Sequence, residues 1–151
     1  MLIALATVTL GGCVPGAIQP TLAAIQSLDY TCGGGVRDNE PSGLYQWHCT
    51  GKVASRDATI DVNGNGAGVA EIDLAINSTD PDVIRSEFQR VATDVPPLKL
   101  APSILDALTG WAGQQRAAVV SSARIASECD ATQCIVEVTS VDGPLQPLQL
   151  P

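Results

Sequence analysis

The chain of 151 residues is poor in aromatic side chains and in positive charge. Two Trp, two Tyr and one Phe make up an aromatic content of 3%, so a core has to be assembled from Val, Ile, Leu and Ala. Such a core is light, and covalent cross-links would add to it. Eight basic residues stand against sixteen acidic ones, a formal net charge of −8. A field of that sign disfavours nucleic acid and anionic lipid headgroups as partners, and suits solubility, cationic partners or metal ions. There is one histidine, His48, so a Ser-His-Asp or Cys-His arrangement would have to be built on it. Its neighbours supply no Gly-x-Ser-x-Gly nucleophile motif. The expectation is a protein that is not an enzyme.

What the chain does have begins at its start. Leu2 to Leu10 is nine residues without a charge. That is too short for a mature transmembrane helix, which needs ~20 apolar residues. It fits the apolar region of a secretory signal, about 7–15 residues followed by small residues at a cleavage site. Gly11 and Gly12 are those small residues, and the Lys or Arg that usually precedes such a run is missing. Leu10-Gly11-Gly12-Cys13 resembles the lipobox of bacterial lipoproteins. The resemblance implies a signal peptide over 1–12, cleavage before Cys13, and lipidation of the Cys13 thiol with acylation of the new amino end. The lipid bilayer is then a partner through Cys13. The domain lies outside the cytoplasm, anchored to the cell membrane or outer membrane. Val14-Pro15-Gly16 opens a tether over 13–19.

Five cysteines are present: Cys13, Cys32, Cys49, Cys129 and Cys134. An odd count in an exported protein is resolved if Cys13 carries lipid and the other four form two disulfides. Four cysteines allow three connectivities. Pairing Cys32 with Cys49 and Cys129 with Cys134 is favoured, because each pair flanks one candidate hairpin.

The domain proper is expected over 20–142. Pro20 reads as the first residue of a short helix with Leu22, Ile25 and Leu28 on one face. Tyr30–Cys32 and Leu44–Thr50 read as strands joined by a Gly-rich polar loop, with Tyr45, Trp47 and Cys49 on one face and Gln46 and His48 on the other. A second hairpin pairs Thr59–Val62 with Val69–Asn77 around a turn at Asn63-Gly64-Asn65-Gly66. Ile72, Leu74 and Ile76 point one way and Glu71, Asp73 and Ala75 the other, as in a sheet solvated on one face. Asp80-Pro81-Asp82 starts a helix with Ile84, Phe88 and Val91 buried. A further helix is expected near Pro102 with Ile104, Leu108 and Trp111. Ala117–Ala126 reads as one strand and Cys134–Val138 as the last. Residues 143–151 read as an extended tail. The fold class is α+β: a single meandering antiparallel sheet of about five or six strands, helices on one face and two disulfides.

The metal-like pattern is Asp61-x-Asn63-x-Asn65-Gly66, which resembles the start of an EF-hand calcium loop. Its twelfth position is Ile72, which cannot ligate, with Glu71 and Asp73 one residue off in each direction. A Gly/Asn hairpin turn explains the same residues. No other cofactor is indicated. His48 with Cys49, Cys129 and Cys134 matches no usual zinc spacing. Asp80, Asp82 and Glu87 are explained by helix capping and surface charge, and Asn77-Ser78-Thr79 is an incidental glycosylation pattern. Trp47 and Trp111 are expected as core or cover. Lipobox, tether, helix and a cysteine-closed hairpin ending at Trp47-x-Cys49 together resemble small bacterial lipoproteins. That group implies an envelope location and carries no known reaction. The expected function is a membrane-anchored envelope protein acting as a structural module or binding another envelope protein. The alternative is a lipoprotein that binds a small ligand or calcium.

Overall fold

The apolar–polar alternation along residues 45–76 becomes three long antiparallel strands in the computed structural model, which describes residues 14–37, 43–99, 116–120 and 122–146. The strands are β1 (Thr31–Cys32), β2 (Val36–Arg37), β3 (Tyr45–Val53), β4 (Arg56–Asn65), β5 (Gly68–Ile76), β6 (Arg116–Val120), β7 (Ala123–Cys129) and β8 (Cys134–Ser140). The helices are α1 (Gln19–Ser27) and α2 (Pro81–Asp94), with a 3-10 turn at Pro96–Leu98. All described strands join one antiparallel sheet in the order β1-β3-β4-β5-β8-β7-β6, and β2 also pairs with β3.

The α+β class and the single sheet are as expected, but the described residues hold eight strands rather than five or six. Two differences produce the excess. The edge strand beside β3 does not stop at Cys32; past Gly33-Gly34-Gly35 it resumes as β2, pairing Val36 with Gln46 and Arg37 with Tyr45. Residues 116–129, read as one strand and a loop, fold back on themselves. Val120 pairs with Ala123, so β6 and β7 form a hairpin whose short link carries no Gly, Asn or Pro to announce it.

The β4–β5 turn also lies further along than its Asn-Gly repeat suggested. β4 runs through Asn65, and only Gly66 and Ala67 separate the strands. Asn65 Oδ1 accepts the Ala67 N–H at 2.9 Å and so holds the turn. The pairing shifts at Asn63/Gly64, where Ala70 is the extra residue of a bulge in β5 that returns Val69 to the core, while Gly64 keeps the inward alternation of β4. A Cβ there would stand 2.7 Å from Ile18 Cδ1 and 2.6 Å from the Gly68 carbonyl oxygen, so glycine is required by close approach.

One face of the sheet is covered. Trp47, Ile60, Val62, Ile72, Leu74, Ile76, Ile125, Val136 and Val138 are buried beneath Leu22 and Ile25 of α1 and Ile84, Phe88 and Val91 of α2. Full burial stabilises by roughly 1.5–3 kcal/mol for each large apolar side chain. Helix α2 starts as its sequence dictates: Asp80 caps it by accepting the Asp82 N–H at 2.9 Å, Pro81 follows, and the apolar stripe turns inward. The packed domain extends past both of its expected limits. Ile18, within the stretch read as tether, is fully buried. Leu145, within the stretch read as tail, is buried and donates its N–H to Val69 O at 2.6 Å. The expected helix near Pro102, with Trp111, lies outside the described residues, as do residues 1–13 and 147–151.

Both disulfides form in the favoured pairing, Cys32–Cys49 and Cys129–Cys134. Each joins two directly paired residues, across β1–β3 and β7–β8 respectively. Closing their loops stabilises by roughly 2–3 kcal/mol each in the chain-entropy model.

Candidate functional site

The open face of the sheet gathers the polar chemistry. Because side chains alternate, the outward residues of neighbouring strands fall into rows fixed by the register. One row reads His48, Asp61, Asp73, Glu137 and Ala126 across β3, β4, β5, β8 and β7. The next reads Gln46, Asn63, Glu71, Thr139 and Arg124. Four carboxyl side chains therefore lie within two adjacent rows of the three central strands.

Each has its own environment. His48 Nδ1 lies 2.6 Å from Asp61 Oδ1, with the imidazole 57% exposed. Arg124 Nη1 lies 3.3 Å from Glu137 Oε1, which also accepts from the Thr139 hydroxyl at 3.0 Å. Asn63 Nδ2 donates to Glu71 Oε1 at 2.8 Å, and the Thr139 hydroxyl reaches Glu71 Oε2 at 3.3 Å. Asp73 differs from the others, since its Oδ1 is enclosed and has no hydrogen-bond partner. Burial, followed by the negative charges of Glu71, Glu137 and Asp61 and a hydrogen bond to Glu71, pushes the Asp73 carboxyl up to about 8. Beside this row the sheet surface drops, because Ala117 and Ala126 are small. An open hollow of about 400 Å³ results, edged by Arg124, Glu128, Ile135 and Glu137.

The calcium-like residues lie along one strand and not around a loop. Asp61, Asn63 and Asn65 are successive outward positions of β4, spaced ~6.8 Å apart along an extended chain. Asp61 meets His48, Asn63 donates to Glu71, and Asn65 holds its own turn. Among the described residues no group of three or more His, Cys, Asp or Glu is placed to hold a metal ion. His48 stands on the exposed face as its strand position implies, but as the partner of Asp61, while the neighbouring Cys49 is buried in its disulfide. Cys13 lies outside the described residues.

Asp80 caps α2 and Asp82 pairs with Arg85, as capping and surface charge would have them. Glu87 does not belong with them. It is 5% exposed, accepts the Tyr30 hydroxyl at 2.9 Å, and takes Arg90 Nε at 2.9 Å and Nη2 at 2.7 Å. Arg90 also donates to the Leu28 carbonyl at 3.2 Å. Burial and the Glu87 carboxylate hold the Tyr30 hydroxyl above its ordinary range. This cluster fastens α2 to the end of α1 and the start of β1, and it is structural in placement. Ser78, in the glycosylation-like triplet, is buried and accepts the Asp80 N–H at 3.1 Å.

Sequence reading missed Glu137 and Arg124 as neighbours of the β4–β5 acids. The signal was partial: the outward positions of β8 could be counted, but its pairing with β5 joins residues 58 to 68 positions apart. Compared with models of known protein families, with curated proteins and with solved structures, the chain matches none.

Proposed function

We propose that the chain is a lipid-tethered, non-enzymatic binding module of the bacterial envelope, and that the open face of its sheet receives a protein partner bearing basic residues. The observation that carries this reading is the one-sided sheet: both described helices cover one face, and the other presents carboxyl side chains in register beside an open hollow. An acidic face of this kind favours encounter with a positively charged surface and sets its orientation. The hollow between Ala117, Ala126 and Arg124 has room for a side chain of the partner. The two disulfides are compatible with an oxidising compartment outside the cytoplasm. Among the described residues no helix is long and apolar enough to cross a membrane. Under this reading attachment comes from the lipid on Cys13, whose thioether-linked diacylglycerol and N-acyl chain give more than one anchoring signal.

Site-specific photocrosslinking in cells tests the reading. A photoreactive residue at Gln46 or Thr59 samples the open face, and one at exposed Gln89 samples the outer surface of α2. The expected result is one discrete adduct from Gln46 and Thr59, absent from Gln89, and lost when Glu137→Lys is added. Equal adducts from all three positions, or none from the open face, would overturn the proposal.

A further inference from the structure

Asp73 occupies a place where a carboxylate is difficult to hold. β5 lies between β4 and β8, and the cross-strand partners of Asp73 are Asp61 on one side and Glu137 on the other. Three acids thus stand side by side on adjacent strands, with Cβ atoms ~4.5–5.5 Å apart at each step. Glu71, two residues earlier on the same face of β5, makes a fourth. Like charges directly opposite one another destabilise a sheet. The outer members are relieved: His48 meets Asp61, and Arg124 meets Glu137. Glu71 is held by the Asn63 amide and the Thr139 hydroxyl. Asp73 has no such relief. Its Oδ1 is enclosed without a partner, and among the described residues every charged group acting on it is an acid.

We propose that Asp73 and Glu71 hold one proton between them at neutral pH, and that its release under alkaline conditions loosens the central strands of the sheet. The proton makes Asp73 a donor and Glu71 an acceptor, replacing repulsion by a carboxyl–carboxylate hydrogen bond. In the unfolded chain an Asp side chain titrates near ~3.9, whereas burial and the neighbouring acids push the native Asp73 carboxyl up to about 8. Between those values the folded protein keeps a proton that the unfolded chain has lost. Stability from this group is therefore complete below pH ~3.9 and declines as pH rises through about 8. A domain displayed outside the cytoplasm meets the pH of its surroundings directly, so its stability would be greatest in acid, and its open face would gain negative charge as pH rises through about 8.

The experiment follows the side-chain carboxyl carbons of the folded domain by NMR between pH 4 and 9.5, together with the melting temperature of the wild type, Asp73→Asn and Glu71→Gln. Asp73 should titrate above pH 7, and Glu71→Gln should move that titration to lower pH. The melting temperature of Asp73→Asn relative to wild type should rise from pH 5 to about pH 8 and level off above that. An Asp73 resonance that titrates near pH 4, or melting profiles that run parallel, would overturn the proposal. The wild-type NMR titration decides alone if Asp73→Asn does not fold.

Discussion

Glu87 illustrates how one buried carboxylate can tie separate elements together. A lone ionised carboxyl inside the domain would be expensive, and it is tolerated because Tyr30 donates to it from the β1 side and Arg90 grips it from the next turn of α2. The Tyr30 ring lies over Gly51, where a Cβ would stand 2.9 Å from it, so ring packing and hydroxyl bonding can be separated by mutation. Tyr30→Phe keeps the ring and removes the hydroxyl. It should destabilise the domain by about 1.5–3 kcal/mol, the usual range for a hydrogen bond to a charged group. Urea unfolding monitored by tryptophan fluorescence measures this, and a change below about 0.5 kcal/mol, within ordinary surface variation, would contradict the role given to the cluster. Glu87 was not legible as buried from sequence: it follows an N-cap acid and a first-turn acid, and its charge alone placed it at the surface. The inward turn comes from helical spacing, since Glu87 lies three residues beyond Ile84 and four before Val91.

Among the elements, the β3–β4 hairpin turns on residues poorly suited to it. Ala54 and Ser55 both have positive φ, 48° and 64°, the pattern of a two-residue type I′ turn that Asn-Gly would fill more readily. Left-handed backbone in ordinary L-residues costs about 1–2 kcal/mol each. Replacing the pair, Ala54→Asn with Ser55→Gly, should stabilise the domain by about 1 kcal/mol, a melting-temperature rise of roughly 2–4 °C at this size. Calorimetry checks it; a fall in melting temperature would mean that the hairpin relies on contacts these side chains make. The same turn explains why the strand boundaries were hard to read. Without Gly, Asn or Pro at its centre, nothing stops β3 at Thr50, and the strand runs on to Val53. The β6–β7 turn was missed for the same lack of turn residues. Where local chemistry is explicit, reading and structure agree: Asp80-Pro81-Asp82 starts α2, and the alternation of Glu71 to Ile76 divides the faces of β5.

For the molecule as a whole, class and stapling were legible and the assembly of the sheet was not. Hairpin logic pairs Cys32 with Cys49 and Cys129 with Cys134, because each pair is local in sequence and directly opposed across two strands. The β5–β8 seam, which brings Glu137 beside Asp73, depends on a long-range pairing that no local spacing encodes. The acidic face is therefore a property of the assembled sheet, since its members come from β4, β5 and β8. With four cysteines paired, Cys13 is the one left over of the five. Its lipidation would join stapled domain, compartment and open face into a single tethered module. Intact-mass spectrometry of the full-length protein extracted from membranes tests that claim most directly. The expected species begins at Cys13, carries a diacylglyceryl group and an N-acyl chain, and lacks two hydrogens for each of the two disulfides. A chain that retains residues 1–12 with an unmodified Cys13, or free thiols at Cys32 and Cys49, would contradict it.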